Sequence, residues 1–316
     1  MTEPLRDSSA PSPLAGVRSG PLVEGEWVRL VDGKGRKHNL RLEAGKGFFT
    51  NKGEISHDDL IGRDEGFTLT STHGGDYLVF RPLLSEFVVS MPRGAAVIYP
   101  KDSAQIVAAV DIHPGCTVVE AGAGSGALTC SLLRAAGEHG LVSSFERREE
   151  FAEVAEKNVT QFFGGRPGTW QLTVGDLVEE LPRTHPDHSV DRIILDMLAP
   201  WECVDVAGDA LRGGGILCAY VATTTQLSKF VETVRVHGEF TEPHAWESLI
   251  RDWHVEGLAV RPDHKMNGHT AFLVTARRMA PGEKAPRKKR RPAPGAYGPD
   301  YSGPRPPGIP EEPAEL

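Results

Sequence analysis

Four acidic residues and one glycine-rich loop are the residues in this chain whose types and spacing could do chemistry. The stretch Val118-Val119-Glu120-Ala121-Gly122-Ala123-Gly124-Ser125-Gly126-Ala127 is a short apolar run that ends on a carboxylate and passes into a loop with three alternate glycines. A helix-forming segment, Ala127 to Arg134, follows at once. That order reads as strand, tight turn and helix N-terminus, the first unit of a nucleotide-binding α/β sheet. Three further strand candidates end on Glu146, Asp176 and Asp196. In a parallel sheet such ends gather along one edge, so the four acids are expected to line a single cleft.

The glycines alone leave the ligand open, because Gly122, Gly124 and Ala127 also satisfy the relaxed dinucleotide pattern G-x-G-x-x-A. Glu120 points elsewhere. A carboxylate two residues before the first glycine repels a pyrophosphate, but suits S-adenosylmethionine, which carries an ammonium and a positive sulfur. Glu146 lies 20 residues after Gly126, near the spacing at which a strand-end acid reaches both hydroxyls of a ribose. Asp176 is expected to accept from an adenine amino group. The donor site so read comprises Glu120, Ala121 and Gly122, then Gly124, Ser125 and Gly126, then Glu146, Asp176 with Leu177, and Asp196.

The elements that position these residues follow from the pattern of the chain. Residues 1 to 20 are rich in Pro, Ser, Gly and Ala and are read as a disordered tail. A hairpin is predicted from Glu26–Val31 and Lys37–Leu42 around the turn Asp32-Gly33-Lys34-Gly35, and short strands at 47–50, 67–70 and 77–80 complete a small β-rich domain over 21–85. From 86 to 280 strand and helix signals alternate. Pro100 is expected to break structure before a helix capped by Asp102 or Ser103. Strands are predicted at 141–145, 170–174, 190–195, 215–221, 256–260 and 270–275. This alternation implies an α/β, doubly wound, mostly parallel sheet. Residues 281–316, which include the basic run Lys284 to Arg291, are read as a disordered tail, with an RNA tether as the functional alternative.

Composition narrows the class. The 316 residues carry a formal net charge of −8, which argues against a generally basic nucleic-acid binder. No stretch reaches the roughly 20 apolar residues of a membrane span. The N-terminus lacks an apolar signal core, and Cys116, Cys130, Cys203 and Cys218 form no Cys-x-x-Cys pair, so a cytoplasmic protein with reduced thiols and no metal site is expected.

Three stretches together carry a family resemblance: Glu120 to Thr129, Ile98-Tyr99-Pro100-Lys101-Asp102, and Asp196-Met197-Leu198-Ala199-Pro200-Trp201-Glu202. From about residue 21 to 280 the chain resembles the tRNA adenine-58 N1-methyltransferases, class I S-adenosylmethionine-dependent enzymes, and most closely their actinobacterial type. The resemblance implies a Rossmann-like seven-stranded sheet, a small N-terminal β domain, a homotetramer and a tRNA substrate. It also implies that Asp196 is catalytic and that Tyr99 and Tyr220 flank the target base. Read from the residues alone, the two tyrosines are equally well packing residues. Methylation of a protein side chain, or a non-catalytic RNA-binding subunit of the same fold, stay open as other readings.

Overall fold

The computed structural model describes residues 19–286, 292–293 and 295–305. Residues 1–18 and 306–316 of the two expected tails, and residues 287–291 of the basic run, lie outside the described residues. The chain divides into two compact units, Met1–Arg93 with Glu156–Pro167, and Gly94–Ala155 with Gly168–Leu316.

The first unit is built on the predicted hairpin. Strands β1 (Trp27–Asp32) and β2 (Lys37–Arg41) pair antiparallel, with Asp32 Oδ1 accepting from the Lys34 and Arg36 amides to close the turn. β3 (Gly47–Thr50) and β4 (Gly53–Ser56) form a separate two-stranded ribbon, while β5 (Phe67–Thr70) and β6 (Asp76–Phe80) complete a four-stranded sheet in the order β2-β1-β6-β5. Leu22, Val28, Leu30, Leu42, Ile55 and Leu60 are fully or almost fully buried in its core. His57 uses Nδ1 to accept from the Glu43 amide, and Asp58 accepts from the Gly45 amide. A short helix, α1 (Leu84–Val88), follows.

The second unit holds the seven-stranded sheet. α2 (Pro100–Ala109) leads into β7 (Thr117–Ala121), α3 (Ala127–Ala136), β8 (Leu141–Glu146), α4 (Glu149–Phe163), whose residues from Glu156 on belong to the first unit, β9 (Trp170–Val174), α5 (Leu177–Thr184) and β10 (Val190–Leu195). Then come α6 (Val204–Ala210), β11 (Leu211–Val221), α7 (Thr224–His237), β12 (His244–Trp246), β13 (Trp253–Glu256), β14 (Ala259–Pro262) and β15 (Phe272–Arg277). The order is β12-β15-β11-β10-β7-β8-β9. β7 to β11 run parallel, and β15 and β12 are antiparallel to the rest. Val119, Ile193, Leu195, Leu217, Phe230 and Val274 anchor its apolar core at 0–1% exposure, so the doubly wound sheet expected from the alternation is present.

Three local expectations are corrected. Pro100 does not break the helix before it starts; it occupies the first helical position, where no amide donor is needed, and Tyr99 is the cap residue. Asp102 therefore sits inside the helix instead of capping it. The strand read at 256–260 straddles the turn of a separate β13–β14 hairpin, with Gly257 at φ +54 in that turn. The seventh strand of the sheet is instead the three-residue β12.

Candidate functional site

The parallel strands β7, β8, β9 and β10 end side by side, and the glycine loop leaves the first of them. Leu195 is level with Ala121, which fixes Asp196 next to the start of the loop, and the Asp196 amide donates to the Ala121 carbonyl at 2.8 Å. Gly122 has φ +73, and a Cβ there would collide with the Asp196 carbonyl oxygen. Only glycine meets both conditions. The amides of Gly122 and Ala123 donate to the Phe145 carbonyl at 3.2 and 3.1 Å, and the Gly124 amide donates to Glu146 Oε2 at 2.9 Å. Gly126, at φ +79, caps α3, while the buried Ser125 hydroxyl accepts from the Gly94 and Ala95 amides. The loop is thus laced to the ends of β8 and β10 before any ligand arrives.

Beside it opens a cavity of about 960 Å³. Ala121, Gly122, Glu146, Asp176, Leu177 and Asp196 are on its wall. Gly124, Ser125 and Gly126 of the same loop do not line it. Arg147 and Arg148, and Met197, Leu198, Glu202 and Cys203 in and after the Asp196 motif, also face the cavity, although the sequence had not marked them as site residues. The first two follow directly on the strand-end Glu146, and the rest follow Asp196, so continuing each strand by a few residues would have found them.

The fourth acid behaves differently. Glu120 is 1% exposed and does not line the cavity. Its Oε2 accepts from the Thr129 hydroxyl at 2.6 Å and the Ser144 hydroxyl at 2.7 Å, while Trp170 Nε1 donates to Ser144 Oγ in turn. The expectation of four acids on one cleft is therefore corrected to three, because Glu120 stands level with Ser144 and Ile194, two residues short of Glu146 and Asp196, and so lies on their face but deeper in the sheet. Burial pushes the Glu120 carboxyl up to about 7, against the two hydroxyl donors and with help from the Asp196 and Glu146 charges.

The acids on the wall differ in how they are held. Glu146 is buried, and besides Gly124 it accepts from the Arg148 amide at 3.1 Å; the Arg148 guanidinium lies over the Phe151 ring. Asp176 caps α5 through the Val178 amide at 2.8 Å and pairs with Arg147 at 3.2 Å. Burial, and then the charge of Glu146, pushes the Asp196 carboxyl up to about 7. The segment after Asp196 is fastened from α7, where Gln226 Nε2 donates to the Leu198 carbonyl at 2.9 Å and Lys229 lies 4.1 Å from the Trp201 ring centre.

Tyr99 and Tyr220 are not on this wall. Tyr99 is 36% exposed and borders a second cavity of about 600 Å³ with Ile250, Asp252, His264 and Lys265. Tyr220 stands one residue beyond Ala219, which is level with Leu195, so it occupies the strand end next to Asp196. Its hydroxyl donates to Asp102 Oδ2 at 3.2 Å. Among the described residues no group of three or more His, Cys, Asp or Glu could hold a metal ion, and no helix is long and apolar enough to cross a membrane. The four cysteines are buried and form no disulfide.

The site is a deep recess with three carboxylates on its wall and a preformed glycine turn, which suits a cationic or hydroxyl-rich nucleoside better than a phosphate. Comparison with known proteins agrees. Residues 78–260 match the family described as "tRNA methyltransferase complex GCD14 subunit", and residues 20–69 match "TrmI-like N-terminal". A tRNA (adenine(58)-N(1))-methyltransferase TrmI of Thermus thermophilus is 36% identical over 265 residues, covering 82% of this chain and 97% of that protein. Among solved structures, a SAM-dependent O-methyltransferase from Thermotoga maritima superposes with TM-score 0.77 at 30% identity, covering 83% of this chain and 96% of that one. The tRNA (m1A58) methyltransferase TrmI of Aquifex aeolicus superposes with TM-score 0.72 at 28% identity, covering 82% and 99%.

Proposed function

Because the chain belongs to the tRNA adenine-58 N1-methyltransferase family, we propose that it transfers a methyl group from S-adenosylmethionine to N1 of adenosine 58 in the tRNA T-loop. The observation that carries this reading is Asp196 at the end of β10, level with the glycine turn and followed by the Met-Leu-Ala-Pro-Trp segment. When bound, the donor supplies an electrophilic methyl carbon on a positively charged sulfur. Gly122 and Ala121 leave room for it beside the loop. Glu146 accepts from the ribose hydroxyls, and Asp176 and Leu177 border the adenine. Adenine N1 already carries the lone pair that forms the new bond, so no residue removes a proton from it. Asp196 accepts from the exocyclic amino group, orients the ring and compensates the positive charge that the purine acquires. Tyr99 and Tyr220 flank the base, which leaves its stack to be reached. A homotetramer acting on tRNA in the cytoplasm completes the reading.

Incubating unmodified tRNA with labelled donor, followed by nucleoside mass spectrometry and position mapping, is expected to give 1-methyladenosine at position 58. Label in an O-methylated or amino-methylated product, or in protein, would refute the assignment.

Donor binding is expected to be linked to protons. Burial holds Asp196, on the cavity wall, and Glu120, beneath it, at about 7 in the ligand-free protein, and a sulfonium in the cavity favours the ionised form of Asp196. Affinity for S-adenosylmethionine should therefore rise between pH 6 and 8, with release of protons near pH 7 in calorimetry run in two buffers. S-adenosylhomocysteine, whose sulfur is neutral, should show a smaller release. Because both groups have folded values above their unfolded ones, the ligand-free protein binds more protons than the unfolded chain between about pH 4 and 7, and its stability falls as pH rises through that window. Equal proton release for the two ligands would rule the linkage out.

A further inference from the structure

Behind Tyr220 lies a polar cluster that the reaction as described does not use. Asp102 is 0% exposed, and four groups surround its carboxylate. Oδ1 accepts from Lys101 Nζ at 2.7 Å and from the Ser248 hydroxyl at 2.9 Å, and Oδ2 accepts from the Thr270 hydroxyl at 2.7 Å and from the Tyr220 hydroxyl at 3.2 Å. The Lys101 ammonium also donates to the Thr270 hydroxyl at 2.6 Å and to the Ser248 carbonyl at 2.9 Å, so all three of its protons are spoken for.

The consequence is a fixed polarity at the phenol. A carboxylate holding an ammonium at 2.7 Å is an acceptor only, so Tyr220 must spend its one hydroxyl proton on Asp102. Thr270 also bonds the phenol oxygen, and the lone pair that remains is available as an acceptor. Burial, with the charges of Asp102 and Asp196, raises the phenol above its ordinary range, so it keeps that proton at any physiological pH. Tyr220 and Asp196 occupy neighbouring strand ends, and both therefore present acceptors at the edge where the purine is to be read.

Resting on the adenine N1 reading above, we infer that Tyr220, locked as an acceptor by the positioning residue Asp102, takes the second hydrogen of the purine 6-amino group while Asp196 takes the first. Two acceptors match an amino group with two hydrogens and repel a 6-oxo purine, whose oxygen is itself an acceptor. The cluster thus makes the pocket select adenosine over guanosine or inosine. Asp102 acts only through the phenol and does not touch the base.

The test compares equilibrium binding of two tRNA transcripts, with adenosine or inosine at position 58, to the full-length protein in the presence of S-adenosylhomocysteine. The Tyr220→Phe variant removes the acceptor, and the adenosine-over-inosine affinity ratio should fall about tenfold, as expected for one hydrogen bond. In Asp102→Asn the amide can donate to the phenol oxygen, freeing the hydroxyl proton to turn toward the base; the ratio should fall further still. S-adenosylhomocysteine affinity should be unchanged in both, and a merely structural role would weaken both transcripts alike without moving the ratio. If Asp102→Asn does not fold, the ratio for Tyr220→Phe decides. An unchanged ratio, with wild-type protein forming 1-methyladenosine at position 58, overturns this inference alone. Failure of the wild type to form that product overturns the underlying reading and this inference with it.

Discussion

Asp196→Ala is expected to lower methyl transfer by about 10² to 10³ while leaving the bound donor in place, because the lost group compensates charge that develops only as the ring becomes cationic. The carboxylate is set at the end of β10 by backbone contacts that the substitution does not touch: the Asp196 amide bonds to Ala121, and Gln226 holds the Leu198 carbonyl. The variant should therefore fold. It should even gain some stability above about pH 4, because it no longer ionises a half-buried acid against Glu146. Single-turnover measurements at saturating donor separate the chemical step from binding, and should show the loss in the methyl-transfer rate constant. Donor affinity should change by only a few fold, since Glu146 and Asp176 remain. A rate close to wild type would remove Asp196 from the reaction. Asp196→Asn is the sharper companion. It keeps the shape but offers one acceptor oxygen without charge, so it should retain more affinity for the acceptor tRNA than the alanine variant and regain little of the rate.

The sequence made the cleft legible because parallel strand ends converge whatever their separation in the chain, and Glu146, Asp176 and Asp196 each stand where an apolar run stops. Glu120 was misplaced by the same reasoning. Its position before the glycines is correct and its face is that of Glu146 and Asp196, but it stands two residues short of their level, which only the cross-strand register shows. Thr129 and Ser144, from α3 and β8, make that buried level polar enough to hold a carboxylate. Neither partner is recognisable without the tertiary fold. Asp102 failed for a related reason. Its position after Pro100 looks like a helix cap, yet its partners come from residues 146 and 168 positions away in the chain. Local rules read local bonds, and buried polar clusters are built from distant ones.

The apolar pattern misled only toward the end of the sheet. Leu258 and Val255 are exposed at 103% and 67% on the β13–β14 hairpin, so the strand-like composition of 256–260 did not mark a buried strand. β12, by contrast, has three residues, too few to show an alternation. Neither error reached the site, since β12 lies at the sheet edge beyond β15, three strands away from the strand that leads into Asp196.

Glu146→Ala is expected to raise the dissociation constant for S-adenosylmethionine by about 10², since a buried carboxylate accepting from ribose hydroxyls makes charge-assisted bonds worth about 1.5–3 kcal/mol each. The substitution has a second effect in the same direction. The Glu146 carboxylate already holds the Gly124 amide at 2.9 Å and the Arg148 amide at 3.1 Å, so its loss loosens the glycine turn from the end of β8 before the ligand arrives. Part of the cost then falls on ordering the loop at the moment of binding. The two contributions can be told apart with Glu146→Gln. A glutamine still offers one oxygen to the Gly124 amide but has no charge for the diol, so it should recover the loop and only part of the affinity, with a dissociation constant between those of wild type and alanine. β8 keeps its ladder to β7 and β9 in both variants, and the sheet should survive. The rate of methyl transfer at saturating donor should fall far less than in Asp196→Ala, because Glu146 holds the donor and does not meet the purine. Calorimetry that found the alanine variant binding the donor as tightly as wild type would take the ribose away from Glu146, and the loop contacts would then be its whole role.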